Sequence, residues 1–310
     1  MILTVTLNVA VDKRYVVEGI DIGSVMRVKE SSQSAGGKGI NVAKIAKQLG
    51  ADVIATGIVG GHTGAYIISE LEKRNINTDF LKVKNDSRTS VNVFDSVNGT
   101  HSQFLESGGL ISKEEYSQFL DKYRVLVDKS DIICICGSTP PGAPQNCYSQ
   151  MISVAKEKGK KVFLDASGEL LADGIKSCPA LIKPNIDEII GLGFVKSNDI
   201  NEIEKAAREL FNGGIEYVLV SLGEDGALLV CKDGTFKGKT AKVPVVNTVG
   251  CGDSMLSSFA VAIQKGMTSQ EALEVSLAVA TANALSEGAG EYREDDLRYL
   301  LDKVSVERIK

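Results

Sequence analysis

The sequence has little that would tie it to a membrane, a metal or an oxidising compartment. No apolar run approaches the roughly 18 residues of a spanning helix, so no membrane segment is expected. The opening residues, MILTVTLNVAVD, lack a basic stretch and a small-residue cleavage site, so no secretory signal is expected. There are only 2 histidines, His62 and His101, and neither stands at metal-ligand spacing from other donors, which argues against zinc. The 6 cysteines are Cys134, Cys136, Cys147, Cys178, Cys231 and Cys251. They form no C-x-x-C pair, and 310 residues is far longer than a disulfide scaffold. Free thiols in a reducing, cytoplasmic setting are expected. A net charge of −5 argues against nucleic acid as a partner, while local lysines and arginines remain free to hold small anions.

What is present is ordinary globular composition, 43% hydrophobic and 24% charged, with no repeat or low-complexity tract. Short apolar runs alternate with helical patterns. DVIATGIVG, SDIICICGS, KVFLDAS, ALIKPN and YVLVSLG read as strands ended by Gly, Ser, Pro or Asn. Between them, segments such as NVAKIAKQLG place Val42, Ile45, Ala46 and Leu49 at helical spacing, with Gly50 ending the helix. This alternation predicts an α/β body with a mostly parallel sheet covered on both faces. Two stretches break the rhythm. Residues 12–33 and 88–105 read as antiparallel strands, the second carrying the hairpin signal Asn98-Gly99. They predict a small β-sheet projecting as a lid, with a decorative edge hairpin as the alternative. The chain reads as one domain, residues 1–310, with that appendage.

In open α/β sheets, ligands bind beyond the carboxyl ends of the strands. The residues there are NVAVD, GSTPPG, DASGE, PNIDE and SLGEDG, followed by VVNTVGCGDSML at 245–256. Each could be turn chemistry alone; at one sheet edge they predict a long shared cleft. SAGGKGIN superficially resembles a P-loop, but Ser32 stands where the first glycine belongs and Gly39 follows Lys38. No G-x-G-x-x-G exists. The last stretch offers another phosphate device. Val243-Pro244-Val245-Val246 reads as a strand, Gly250 and Gly252 clear the backbone amides, and a helix begins near Asp253. The glycines and helix start form an anion hole. Asp253 either accepts a proton from an attacking hydroxyl or merely caps the helix; the stretch alone leaves both open.

These pieces in this order, TLNVAVD, AGGKGINVA, GSTPPG, KPNIDE, SLGEDGA and NTVGCGDSM, resemble the PfkB (ribokinase-like) family of carbohydrate kinases over essentially the whole chain. The likeness is strongest to the branch phosphorylating ketohexose monophosphates, 1-phosphofructokinase and tagatose-6-phosphate kinase. The resemblance implies a ribokinase-like three-layer α/β/α body with a β lid, and ATP-dependent phosphorylation of a sugar hydroxyl. It implies that Asp253 is the general base and that the amides of Gly250, Cys251, Gly252 and Asp253 form the anion hole. Ser221, Leu222, Gly223, Glu224, Asp225 and Gly226 would hold the nucleotide, and Lys183 and Asn185 would lie along its phosphates. Glu188 would hold Mg²⁺, largely through water. Asn283 would lie near the adenine, or be a plain helix polar.

On the sugar side the resemblance assigns Asp12, Gly37 and Asn41 to hydroxyls. Lys38, Arg88 and Arg27 supply the charge a phosphorylated sugar demands, with Ser138 adding a hydrogen bond. Lys38 opens a helix, where a cation opposes the macrodipole, so an anionic ligand explains it better than helix stability does. Arg88 alone would read as a solvated loop charge. The sequence departs from the family at Val9 for proline, Thr139 for leucine, Cys251 for a smaller residue, and Asn247 for aspartate, the last shared with the sugar-phosphate branch. Thr248, where the tagatose branch more often has proline, points to fructose 1-phosphate over tagatose 6-phosphate. Rival readings are a kinase of nucleosides or plain sugars, a non-catalytic sugar-phosphate sensor and, more distantly, a dinucleotide oxidoreductase. A lid with open strand edges suggests a homodimer.

Overall fold

The computed structural model describes residues 1–310. β1 (Ile2–Thr6) starts an 11-stranded sheet. The chain then leaves to form a hairpin, β2 (Ala10–Val17) and β3 (Glu30–Gly36), and returns through α1 (Lys38–Gln48) to β4 (Val53–Gly60). α2 (Gly61–Lys73) leads to short strands β5 (Asn77–Thr78) and β6 (Leu81–Val83), then to a second hairpin, β7 (Arg88–Asp95) and β8 (Thr100–Leu105). Helices and strands then alternate: α3 (Lys113–Asp128), β9 (Ile132–Cys136), α4 (Cys147–Glu157), β10 (Lys161–Asp165), α5 (Gly168–Ile175), β11 (Leu181–Ile182), α6 (Ile186–Gly191), α7 (Ile200–Asn212) and β12 (Tyr217–Ser221). β13 (Ala227–Cys231), β14 (Gly234–Lys239), α8 (Cys251–Gln264), α9 (Ser269–Ala284), α10 (Glu294–Leu301) and β15 (Ser305–Arg308) complete the chain.

The large sheet runs β15-β14-β13-β12-β11-β10-β9-β1-β4-β5, with β6 also on β4. From β12 to β5 every pairing is parallel; β13, β14 and β15 add an antiparallel edge. Its strands are near-continuous apolar runs because both faces are covered. Along β9, Ile132, Cys134 and Cys136 face the layer of α1, α2, α8 and α9, while Ile133 and Ile135 face that of α3 to α7. Tyr217 and Leu219 alternate with Val218 and Val220 on β12 in the same way. All six cysteines are free, and no helix is long and apolar enough to cross a membrane.

The second sheet has four strands in the order β3-β2-β7-β8. Each hairpin is antiparallel, and the two are joined by a parallel pairing of β2 with β7. The Asn98-Gly99 signal sits in the β7–β8 turn. Residues 18–29, inside the stretch expected as antiparallel strands, form the exposed irregular connection between β2 and β3.

One expected strand does not form. Val243-Pro244-Val245-Val246 is irregular, with Val245 58% and Val246 48% exposed. Pro244 has no N–H to give a ladder, and the backbone hydrogen bonds of Val246 and Asn247 go instead to the Ala284 carbonyl. An apolar run without a neighbouring strand cannot become one.

Candidate active site

A cleft of ≈ 730 Å³ lies where the parallel strands end, roofed by the small sheet. Its lining is mostly polar and is delivered by separate elements: Asp165 from the end of β10, Lys183 and Asn185 from beyond β11, Ser221 from the end of β12, Gly37, Lys38 and Asn41 from the start of α1, Asp12 and Arg88 from the small sheet, and Gly250, Gly252 and Asp253 from the start of α8.

The start of α8 shows what the two glycines do. Gly250 is left-handed at φ +86, and a side chain there would meet the Gly290 nitrogen at 2.8 Å. A side chain on Gly252 would meet the Lys183 ammonium at 3.0 Å, so the missing side chain lets that charge lie over the helix end. The N–H groups of Gly250, Gly252 and Asp253 have no acceptor in the protein. The Cys251 N–H is spent on the Thr248 carbonyl at 3.3 Å, so the expected anion hole excludes that amide. The Cys251 thiol, half-buried, is pushed up from its usual value by burial; a thiol of that kind is inert.

Asp253 does not cap its helix. Its carboxylate turns inward, 6% exposed, and accepts a hydrogen bond from Asn41 Nδ2 at 2.8 Å. Burial and the neighbouring Asp165 raise its pKa to about 6, against the pull of Lys38, Asn41 and Lys183. Asp165 is the residue that sequence reasoning passed over. It is 1% exposed, with Lys38 Nζ at 2.7 Å and Lys183 Nζ at 3.0 Å on its two oxygens. Burial alone would raise its pKa; the two ammonium groups outweigh that and hold it below the usual carboxylate value. Its position directly at the end of a strand was the available signal.

The positive charge is divided between two centres. Lys38 belongs with Lys183, Asp165 and Asp253, and is raised above its usual pKa by those carboxylates despite burial. It was expected with Arg88 on the sugar phosphate; both line the cleft, and the charged partners of Lys38 there are the carboxylates. Arg88 belongs to the second centre, with Lys44 and the half-buried carboxyl of Asp12; partial burial raises Asp12 while these cations pull it down. Arg88 also donates to the Asn8 and Glu106 carbonyls, at 3.4 and 3.2 Å. Asn8, unassigned from sequence, donates to Ser138 Oγ at 3.3 Å and so keeps Ser138 near Arg88, although Ser138 lies outside the cleft lining.

Other expected residues fall differently. Arg27 lies on the exposed 18–29 connection and does not line the cleft. Of the expected nucleotide loop, Ser221 lines the cleft, Leu222 and Gly226 are buried, and Gly223, Glu224 and Asp225 form an exposed 3-10 turn. Asn283, expected near the adenine, is sealed at 0% exposed and does not line the cleft. Its amide donates to the Val249 carbonyl at 2.9 Å and accepts from Ser254 Oγ and the Gly290 N–H, bracing the Gly250 turn from beneath. Asn185 and Glu188 close a reciprocal capping box at the start of α6, 2.9 and 2.8 Å.

A parallel α/β body with a separate small sheet over a cleft rich in phosphate-holding groups defines a phosphotransferase acting on a small hydroxyl compound. The profile of the pfkB family of carbohydrate kinases matches residues 5–296, and the chain belongs to that family. It is 33% identical over 311 residues to the tagatose-6-phosphate kinase of Staphylococcus epidermidis, covering 99% of each chain. Phosphofructokinase-2 from Escherichia coli superposes with a TM-score of 0.90 at 28% identity, covering 97% of this chain and 98% of that one. A Thermotoga maritima protein described as a possible 1-phosphofructokinase does so with a TM-score of 0.89 at 26% identity over 100% of both chains.

Proposed function

We propose that this sugar-phosphate kinase transfers the γ-phosphoryl group of ATP to the free primary hydroxyl of a ketohexose monophosphate, with fructose 1-phosphate as the substrate. The observation that carries this is the pair of cationic centres flanking Asp253. Lys38 and Lys183 suit the phosphates of ATP, and Arg88, in the field of the buried Lys44, suits a phosphate already on the sugar. A plain sugar or nucleoside needs only the first centre. Thr248 favours fructose 1-phosphate; the names of the curated relatives favour tagatose 6-phosphate as the rival.

Asp253 takes the hydroxyl proton as the oxygen attacks. Asn41 holds the carboxylate toward the sugar, and the N–H groups of Gly250, Gly252 and Asp253 receive charge on the moving phosphoryl group. Lys38 can exchange Asp165 for a phosphate oxygen without leaving its place. Closure of the small sheet excludes water, which limits ATP hydrolysis. Positioning and electrostatics account for most of the catalysis in such a reaction.

The donor set fits Mg²⁺ in a loose form. Glu188 lines the cleft, one of its oxygens is engaged in the capping box, and the other has no protein partner. No group of three or more acidic, His or Cys side chains gathers into a metal cage, and Mg²⁺ that keeps most of its water would need only one or two carboxylates from the protein. When bound, the ion would offset the negative charge of the phosphates.

The test is ADP release measured side by side with fructose 1-phosphate, tagatose 6-phosphate, fructose 6-phosphate and ribose. Highest kcat/KM with fructose 1-phosphate is expected. Preference for tagatose 6-phosphate replaces the substrate, preference for ribose sinks the two-centre reading, and sugar binding without ADP release makes the protein a sensor.

A further inference from the structure

Lys44 lies in the middle of α1, a place where sequence reading finds only a helix polar. It is 5% exposed, and no carboxylate lies within ion-pair distance of it. Its ammonium instead makes three hydrogen bonds to three chain segments. It donates to the Ala35 carbonyl at the end of β3 (2.5 Å), to Asn41 Oδ1 one turn back on α1 (3.3 Å) and to the Ala289 carbonyl beyond α9 (3.4 Å). Three donors meet three acceptors, so the buried charge is satisfied without a counter-ion.

An ammonium can only donate. By occupying Asn41 Oδ1 it obliges the other end of that amide, Nδ2, to face Asp253, where the 2.8 Å bond to the carboxylate is found. Without it the amide is free to turn its oxygen toward Asp253, which repels rather than binds. The same ammonium ties this pair to the small sheet through Ala35, and to the segment that packs under Gly250 through Ala289. Gly290, next to Ala289, packs so tightly on Asn41 that a side chain there would meet its Cα at 2.8 Å.

We propose that Lys44 is a positioning residue for the transfer reaction: through Asn41 it fixes the orientation of the Asp253 carboxylate, and through Ala35 and Ala289 it makes that orientation depend on how the small sheet and the 285–291 segment sit. This rests on the reading of Asp253 as the base.

The charges around Lys44 give the inference a signature. Burial, aided by Arg74 at the end of α2, pulls its pKa down to about 8, against Asp12 on β2, Glu291 beyond α9 and Asp253 on α8. Lys44 also lines a second cavity of ≈ 400 Å³ with Lys47, Arg74, Glu291 and Arg293. Deprotonation removes one of its three donors. The sugar-phosphate activity should therefore fall as pH rises through about 8.

The experiment compares wild type, K44M, N41A and the double variant, with ADP release as the readout from pH 5 to 9.5. In K44M kcat should drop on the order of 10²-fold, the cost of a misaligned reacting group, and the alkaline fall should vanish. The double variant should be no slower than N41A, because the two residues act in series. Additive losses, or an alkaline fall that persists in K44M, overturn the proposal. If K44M does not fold, K44Q, which keeps an N–H donor, takes its place. It should recover part of the loss and still lack the alkaline fall; wild-type behaviour in K44Q overturns the proposal as well. Wild type without turnover on any sugar phosphate removes both the base and its positioning, whereas turnover in wild type with an unchanged K44M removes only the latter.

Discussion

Asp253 is a carboxylate kept in a place that favours its protonated form. Burial and Asp165 raise it to about 6, so keeping it ionised near neutrality costs the folded state something. The native form holds its proton more tightly than the unfolded chain does. Stability from this group therefore falls as pH rises from about 4 to about 6 and stays lowered above that. Asp253→Asn should lose on the order of 10²–10⁴-fold in kcat while keeping its affinity for ATP, measured by calorimetry. Its melting temperature at pH 7 should not be lower than that of wild type. An active D253N would end the assignment. In wild type, kcat should decline about tenfold per pH unit below about 6, as the base is protonated. A flat profile from pH 7 to 5 would mean that the base is another group.

Single residues also show where sequence reading stops. Asp253, Gly252, Lys183 and Asn41 were legible because their neighbours form recognisable runs. Lys44 and Asp165 were not, since burial and partners decide what they do: the bonds of Lys44 reach 3, 9 and 245 residues along the chain, and the bond of Lys38 to Asp165 spans 127. Asn283 was misplaced for the converse reason: a polar residue on a helix could face the cleft or the packing beneath it, and only the fold chooses.

At the scale of elements, the alternation of strands and helices could be read because a sheet covered on both faces needs continuous apolar strands. The Val243–Val246 run could not, because strand formation needs a neighbour that local pattern does not reveal. Element packing also sets the distance between the two buried carboxylates. Phe163, two residues before Asp165 on β10, packs on Phe259 of α8 at 6.2 Å between ring centres, and Tyr217 of β12 packs edge-on against Phe259 at 5.4 Å. Phe259 is 0% exposed. Phe259→Ala should cost about 3–5 kcal/mol in denaturant unfolding, and should lower kcat more than it raises KM, because α8 carries Asp253 and the anion hole together. A loss of stability with kcat unchanged would show that α8 is held by its other contacts alone.

For the whole molecule, the small sheet is the part with least to bury it. Along β8, Phe104 is 64% and Leu105 65% exposed, and on the 18–29 connection Ile22 and Val25 are each 95% exposed. Its outer strands, β3 and β8, leave unpaired edges. We expect two copies to meet through these sheets. Light scattering after size exclusion should give about twice the 33.0 kDa of one chain, and Phe104→Glu should shift it toward one copy. A monomeric wild type at micromolar concentration would exclude this association.

The bond between Asn41 and Asp253 joins residues 212 apart in the chain. Val42, Ala43 and Ala46 of α1 share one buried core with Met255, Leu256 and Phe259 of α8. The amide and the carboxylate can therefore meet only once both helices have docked on the sheet. A single side-chain bond in this place reports the assembly of the whole body, because no local stretch of chain can form it alone.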